Sequence, residues 1–358
     1  MKIGVLTGGG DCPGLNAVIR GIIRSATHLY NWEIKGFLNG YKGLIENKFI
    51  DLTLQADAGL IQRGGTIIGT SNRDNPFSYR ERVSGQNIIH DVSDRVVKNY
   101  AKNELDALVV IGGDGTLSTA LKLSEMGINI VGVPKTIDND LSATDYTFGF
   151  DTAVNIVTDA IDRLKTTAES HDRVMVVEVM GRDTGWIALY SGLAGGANII
   201  LIPEIPYDID KVCKKIYERK SQGKNFSIVV VAEGAKPLGG EVTVKRHVDD
   251  PTISIRLGGV GNVIGDDIEE RTNIETRVTA LGHIQRGGKP SAFDRVLCSR
   301  LGVEAVQMIK RKEFGMMACL RTPHIKTVPL KEAAVNRTVE ADNPVVQSAK
   351  SIGISFGD

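Results

Sequence analysis

Apolar residues in this chain come in short runs that stop at glycine or at paired polar residues. Residues 2–7 end in Gly8-Gly9-Gly10-Asp11, and residues 107–111 end in Gly112-Gly113-Asp114-Gly115-Thr116. Residues 128–133 run into Pro134-Lys135-Thr136-Ile137-Asp138-Asn139-Asp140. Runs of this length bounded by turn residues predict buried strands. Between them the apolar spacing changes to three and four. Leu15, Val18, Ile19, Ile22, Ile23 and Ala26 predict a helix opened by Pro13, and Leu117, Ala120, Leu121 and Leu123 predict another over residues 116–126. Residues 92–103 read as a helix, 32–37 as a strand ending near Asn39-Gly40-Tyr41, and 62–75 as a loop bearing glycine and arginine. Strand and helix alternating in this way predict a parallel, doubly wound sheet.

The second half repeats the pattern. A long amphipathic helix over residues 150–168 precedes strands at 174–179, 199–202 and 226–232. These end in Met180-Gly181-Arg182-Asp183, Pro203-Glu204 and Glu233-Gly234. Residues 236–265 lack periodicity and read as a surface excursion. A strand at 276–281 closes in Gly282-His283-Ile284-Gln285-Arg286-Gly287-Gly288, and a helix follows over 293–310. The last fifty residues predict only a strand at 325–328 and a helix at 343–350. The expected fold class is α/β, with two similar doubly wound lobes, each a mainly parallel sheet flanked by helices. The expected division is 1–149 with 285–335, and 150–284 with 336–358.

Composition narrows the class. Hydrophobic residues make up 42% of the 358 and charged residues 24%, an ordinary balance for a globular chain long enough for two domains. The 40 glycines follow apolar runs rather than forming a low-complexity tract, which favours tight turns over disorder. A formal net charge of zero argues against a nucleic-acid surface or an acidic tail. Cys12, Cys213, Cys298 and Cys319 lie far apart without a CxxC pair, which disfavours disulfides and zinc and makes a reducing cytoplasm the expected compartment. The first strand begins within two residues of Met1, so no signal peptide is expected. Residues 186–203 carry no charge, but a buried helix followed by a buried strand explains them better than a membrane span.

Three constellations carry candidate chemistry. The Gly112–Thr116 stretch lets backbone approach a phosphate at a helix amino end, with Asp114 able to reach magnesium; a plain strand-to-helix turn with a capping aspartate accounts for it too. Asp138 and Asp140 either cap a helix or sit in solvent, or one of them is a base aimed at a substrate hydroxyl. Arg73, Arg173, Arg182, Arg277, His283 and Arg286 stand beside strand ends or glycine clusters. Each alone reads as a surface cation, and together they suggest a site reading more than one phosphate. No GxxxxGK[ST] loop occurs, and Pro13 stands where GxGxxG needs its third glycine, so P-loop kinases and dinucleotide dehydrogenases are disfavoured.

Five segments in order resemble the phosphofructokinases: Gly9-Gly10-Asp11-Cys12-Pro13-Gly14-Leu15-Asn16, Gly112-Gly113-Asp114-Gly115-Thr116, Pro134-Lys135-Thr136-Ile137-Asp138-Asn139-Asp140, Met180-Gly181-Arg182, and Gly282-His283-Ile284-Gln285-Arg286-Gly287-Gly288. The resemblance covers nearly the whole chain. It implies phosphoryl transfer to the 1-hydroxyl of fructose 6-phosphate, in a cleft between a donor-binding first lobe and a sugar-phosphate-binding second lobe. It implies Asp138 as the base, Thr136 and Asp140 flanking the sugar, and Asp114 holding magnesium. Arg182 would stabilise the transferring group, while Met180, Gly181 and Glu233 line the sugar. His283 and Arg286 would bind the 6-phosphate together with Arg173 and Arg277, which in the family reach in from a neighbouring subunit. Gly10, Tyr41, Arg73 and Gly113, Asp114, Gly115 and Thr116 would surround the donor. A cytoplasmic homotetramer or homodimer, with no nucleic-acid or membrane partner, is the implied assembly.

The resemblance divides on the donor. Gly115 matches ATP users, whereas pyrophosphate users carry aspartate there; Lys135 matches pyrophosphate users. Steric exclusion weighs more than an added cation, so ATP is the expected donor and pyrophosphate the alternative. Arg20 and Arg24 match effector-site arginines, but Leu54 and Asn198 replace a further arginine and a metal-bridging acid. Control by ADP and phosphoenolpyruvate is therefore expected to be weak or absent. Gly-Gly-Asp-Gly-Thr also occurs in kinases of NAD and of lipid head groups, but that reading leaves the acid turn and residues 282–288 without a role. A non-catalytic nucleotide sensor would not need the base.

Overall fold

The first apolar run is strand β1 (Lys2–Thr7), followed by helix α1 (Leu15–Tyr30). Next come β2 (Glu33–Phe37), α2 (Tyr41–Glu46), β3 (Phe49–Asp51), strands β4 (Tyr79–Val83) and β5 (Gln86–His90), and α3 (Ser93–Lys102). Strand β6 (Ala107–Gly112), helix α4 (Asp114–Glu125), strands β7 (Ile130–Thr136) and β8 (Phe148–Gly149), and helix α5 (Phe150–His171) complete the first half. The second half holds β9 (Val174–Val179), α6 (Trp186–Ala194), β10 (Ile199–Leu201), α7 (Ile209–Ser221), β11 (Ser227–Ala232), β12 (Val244–His247), β13 (Ile255–Leu257), α8 (Val260–Thr272) and β14 (Thr276–Ala280). The chain ends with α9 (Ala292–Arg311), β15 (Met316–Arg321), β16 (His324–Pro329), α10 (Leu330–Ala333) and α11 (Pro344–Ser351). The computed structural model describes residues 1–83, 86–247, 255–333 and 335–358.

The chain divides into two units, Met1–Thr152 with Arg286–Asn336, and Ala153–Gln285 with Arg337–Asp358. The first unit is built on one sheet in the order β16-β15-β7-β6-β1-β2-β3, with β8 added to β7. Its interior pairs are parallel, and the edge pairs β15–β16 and β2–β3 are antiparallel. Strands β6 and β7 are buried along their whole length, which their Val- and Ile-rich runs require in a covered parallel sheet. Leu6, Leu108, Val110, Leu117, Leu123, Ile130 and Met317 share one core. Each such side chain contributes roughly 1.5–3 kcal/mol by leaving water. Helices α1 and α9 meet at glycines: a Cβ on Gly21 would fall 3.0 Å from Ser299 O, and one on Gly302 2.5 Å from Val18 O.

The second unit is built on a four-stranded parallel sheet in the order β10-β11-β9-β14. Its core gathers Val174, Val176, Ile199, Val229 and Val231 with Val260, Ile264 and Ile268 of α8. The uncharged stretch at 186–203 is the helix α6 and the buried strand β10, and among the described residues no helix is long and apolar enough to cross a membrane.

Several elements correct the sequence reading. Strand β7 extends through Pro134, Lys135 and Thr136, because Gly112 pairs with Pro134 and Phe148 with Lys135; the lysine and threonine are strand residues, not loop residues. The expected excursion at 236–265 contains the β12–β13 pair and the start of α8, while its residues 248–254 lie outside the described ones. Helix α8 was obscured by Gly261 and Gly265, each worth about 1 kcal/mol less than alanine in a helix. Both are set by packing: a Cβ on Gly265 would sit 2.6 Å from Val278 Cγ2, and one on Gly261 3.1 Å from Glu178 Cβ. Strand β15 and the β4–β5 pair also carry no strong alternation in sequence and were missed.

Candidate active site

Strands β1, β6 and β7 are neighbours in one parallel sheet, so their carboxyl ends deliver three loops to one edge. The first is Gly8–Gly10. Gly8 N–H donates to Ile111 O and Gly9 N–H to Ser71 O, both at 2.9 Å, which ties the loop to β6 and to the segment after Gly69. The second loop is one residue long: Gly113 caps α4, and Asp114 is already in its first turn. The Thr116 side chain lies over Gly8 and Gly112, and its carbonyl accepts the Tyr41 hydroxyl at 2.9 Å. Tyr41 is therefore buried beneath the turn with its hydroxyl engaged. At Gly115, by contrast, a Cβ would meet no atom within 4 Å, and the backbone is not left-handed.

The third loop carries the two acids. Thr136 Oγ1 accepts the Asp138 N–H at 3.1 Å. Asn139 adopts a left-handed φ of 52°, and its Oδ1 accepts the Thr147 N–H at 3.1 Å while Thr147 Oγ1 donates to Thr136 O at 2.8 Å. The turn is thus pinned to the strand that precedes it. Burial, then the charges of Asp138 and Asp114, push Asp140 up to about 7. A carboxyl raised in this way by burial and by neighbouring negative charge is suited to hold a proton. Among the described residues no group of three or more His, Cys, Asp or Glu is placed to hold a metal ion. Lys135 is only 4% exposed and donates to Gly10 O at 2.6 Å; burial lowers its pKa. Arg286 donates to Asp11 O at 3.2 Å. Arg73 lies in the loop after Ser71, whose Oγ accepts the Arg73 N–H at 3.2 Å.

The second unit repeats the design with β11, β9 and β14 side by side. Their carboxyl ends lead to Glu233, to Met180-Gly181-Arg182, and to the 3₁₀ turn Gly282–Arg286 with the exposed His283. Gln285, fully buried, accepts the Met180 N–H at 3.3 Å and donates to Gly282 O at 3.0 Å, locking two of these ends together. Gly181 has φ 136°, and its carbonyl accepts the Gly234 N–H at 3.0 Å, which fixes the third. Arg173 and Arg277 are elsewhere. They flank the amino ends of β9 and β14, where Glu275 pairs with both, with Arg173 Nε at 2.6 Å. Strand β9 alone, at 6 residues, spans about 20 Å. Within one chain these two arginines do not join the group around His283.

A family model described as phosphofructokinase matches residues 2–309. The chain is 53% identical over 360 residues to the ATP-dependent 6-phosphofructokinase 2 of Clostridium perfringens, covering 100% of this chain and 98% of that one. The chain belongs to the phosphofructokinase family. It is also 50% identical to the pyrophosphate–fructose 6-phosphate 1-phosphotransferase of Streptomyces coelicolor, covering all of both chains. Among solved structures it resembles the T-state phosphofructokinase of Pichia pastoris, with a TM-score of 0.78 and 32% identity over 98% of this chain. This chain spans 36% of the length of that one.

In this phosphofructokinase several supporting residues escaped the sequence reading. Asn16 is fully buried; its Nδ2 donates to Arg63 O and Gly64 O at 3.1 Å, and its Oδ1 accepts the Ile67 N–H at 2.8 Å. It anchors the arginine-bearing loop to α1. A polar residue on an otherwise apolar helix face was the available signal. Thr70 donates to Gly9 O at 2.7 Å, which no local pattern marks. At the expected effector positions, Arg24 pairs with the buried Asp57, and Asn198 Oδ1 accepts the Ile228 N–H at 2.9 Å within the sheet.

Proposed function

We propose that this phosphofructokinase transfers the γ-phosphoryl group of ATP to the 1-hydroxyl of fructose 6-phosphate. The observation that carries the donor assignment is Gly115. Nothing in the fold requires glycine there: alanine would stabilise the helix by about 1 kcal/mol, and its Cβ would touch no atom within 4 Å beyond its own turn of helix. A glycine that the fold does not need leaves room for a bulky donor, here the nucleotide. The relatives named ATP-dependent support the same reading.

The 1-hydroxyl oxygen bonds to the γ-phosphorus as the bond from that phosphorus to the β-bridging oxygen breaks, and ADP leaves. The hydroxyl proton passes to the Asp138 carboxylate, an effect worth ~10²–10⁴ in rate. Thr136 and Asp140 flank the sugar. Met180, Gly181, Arg182 and Glu233 line it, with Arg182 balancing charge on the transferring group. Gly10, Tyr41, Arg73 and Gly113, Asp114, Gly115 and Thr116 form the donor surface, Tyr41 from beneath. Asp114 would hold magnesium through the donor's phosphates, the cation neutralising their charge when bound.

His283 and Arg286 take the 6-phosphate. Arg173 and Arg277, at the amino ends of their strands, serve the same phosphate of a neighbouring subunit in a homotetramer or homodimer, with Glu275 holding them ready. The enzyme works in the cytoplasm. Arg24, neutralised by Asp57, supports weak effector control. A second reading, pyrophosphate as donor in a reversible reaction, is favoured by Lys135 and by the Streptomyces relative. Incubation with γ-labelled ATP and fructose 6-phosphate decides the chemistry: label must appear in fructose 1,6-bisphosphate, and its absence overturns the proposal.

A further inference from the structure

Three successive carbonyls of the glycine loop after β1 are each held by a side chain from a distant part of the chain. Thr70 Oγ1 donates to Gly9 O at 2.7 Å, Lys135 Nζ to Gly10 O at 2.6 Å, and Arg286 Nη1 to Asp11 O at 3.2 Å. The three donors come from the segment after Gly69, from β7, and from the turn before α9. Among the described residues, the N–H groups of Gly10 and Asp11 donate to no backbone carbonyl. A loop whose carbonyls are engaged on one side presents its N–H groups on the other, the arrangement that binds anions.

Lys135 is the central member. It is 4% exposed, and its ammonium lies so close to the loop that a Cβ on Gly9 would fall 3.1 Å from Nζ. An ammonium bonded to a carbonyl in a low-dielectric interior holds it more firmly than a neutral donor does.

We infer that Lys135 is a positioning residue for the donor loop, which fixes the Gly10 carbonyl and so turns the loop's N–H groups toward the terminal phosphates of ATP. This rests on the reading of the loop as a donor surface. It removes the conflict between Gly115 and Lys135, because a lysine bound to backbone does not mark a pyrophosphate donor. It also assigns Thr70 to the same device.

The test is calorimetric titration of magnesium-ATP, and separately of magnesium-pyrophosphate, into the full chain and its Lys135→Met, Lys135→Arg and Thr70→Val variants. Steady-state kinetics accompany it. Lys135→Met should weaken ATP about tenfold, Lys135→Arg should recover most of that loss, and the KM for fructose 6-phosphate should stay within about twofold. Unchanged ATP affinity in Lys135→Met overturns the inference. So does a loss confined to pyrophosphate, which makes the lysine a direct phosphate ligand. Should Lys135→Met fail to fold, Thr70→Val carries the test: about threefold weaker ATP supports the inference and unchanged affinity overturns it. ATP binding that depends on Lys135 without phosphorylation of the sugar refutes the proposed reaction alone. Phosphorylation with ATP affinity indifferent to Lys135 refutes only the positioning role.

Discussion

Asp140 lies half-buried within the field of Asp138, two positions before it on the same pinned turn, and is pushed up to about 7. Burial is the larger cause and the Asp138 charge the second. Folding therefore has to hold a carboxylate where the charged form is disfavoured. In the unfolded chain Asp140 titrates near 3.8. Below that pH both states are protonated and no penalty exists; it grows as pH rises from about 4 to about 7 and is complete above 7. Asp140→Asn should thus raise the melting temperature at pH 8 by about 2 °C or more, with the gain vanishing near pH 4. Melting in EDTA checks this, since a divalent cation would favour the charged form. An unchanged or lower melting temperature at pH 8 contradicts it.

The partner acid has a different role. Asp138→Asn keeps the shape of the turn, because the Asp138 N–H that binds Thr136 Oγ1 remains. It removes the proposed base. Turnover should fall ~10²–10⁴-fold with the KM for fructose 6-phosphate changed only a few-fold. Initial rates over a range of sugar concentrations measure both. Retained turnover would remove Asp138 from the mechanism.

Gly115→Asp separates fold from donor choice. No atom stands within 4 Å of the new Cβ, and an acid in the first turn of α4 suits the helix amino end, so stability should hold or rise slightly. The KM for ATP should rise about tenfold or more, and that for pyrophosphate much less. Equal changes for the two donors would mean that Gly115 does not face the nucleotide.

Asp294 tests the join between the acid turn and α5. Its carboxylate, fully buried on α9, accepts the Gly149 and Thr152 N–H groups at 2.9 Å and the Thr152 hydroxyl at 2.5 Å. Asp294→Ala leaves three donors unpaired and should destabilise the protein by about 2–4 kcal/mol. Denaturant unfolding measures it, and a loss below about 1 kcal/mol would show that these groups find other partners.

The sequence made some of this legible and hid the rest for definite reasons. The strands that end in Gly8, Gly112 and Met180 are apolar runs cut by turn residues, so their positions and their loops could be read directly. Parallel order followed from the alternation of strand and helix. Helix α8 was hidden because Gly261 and Gly265 answer to Glu178 and Val278 rather than to helix propensity. Lys135 was misplaced into a loop because only pairing with Phe148 reveals that β7 continues. Motif residues were found by type and spacing. The residues that hold the motifs, such as Thr70 on Gly9, Gln285 on Met180 and Asp294 on Gly149, act across 61, 105 and 145 positions. No local pattern can carry such pairs. The separation of Arg173 and Arg277 from His283 likewise needed the strand directions.

The most direct measurement is a coupled assay of the purified chain with fructose 6-phosphate and magnesium, supplying ATP and pyrophosphate in turn. Fructose 1,6-bisphosphate should form with ATP, at a kcat/KM well above that with pyrophosphate. Turnover with pyrophosphate alone, or with neither donor, would contradict it.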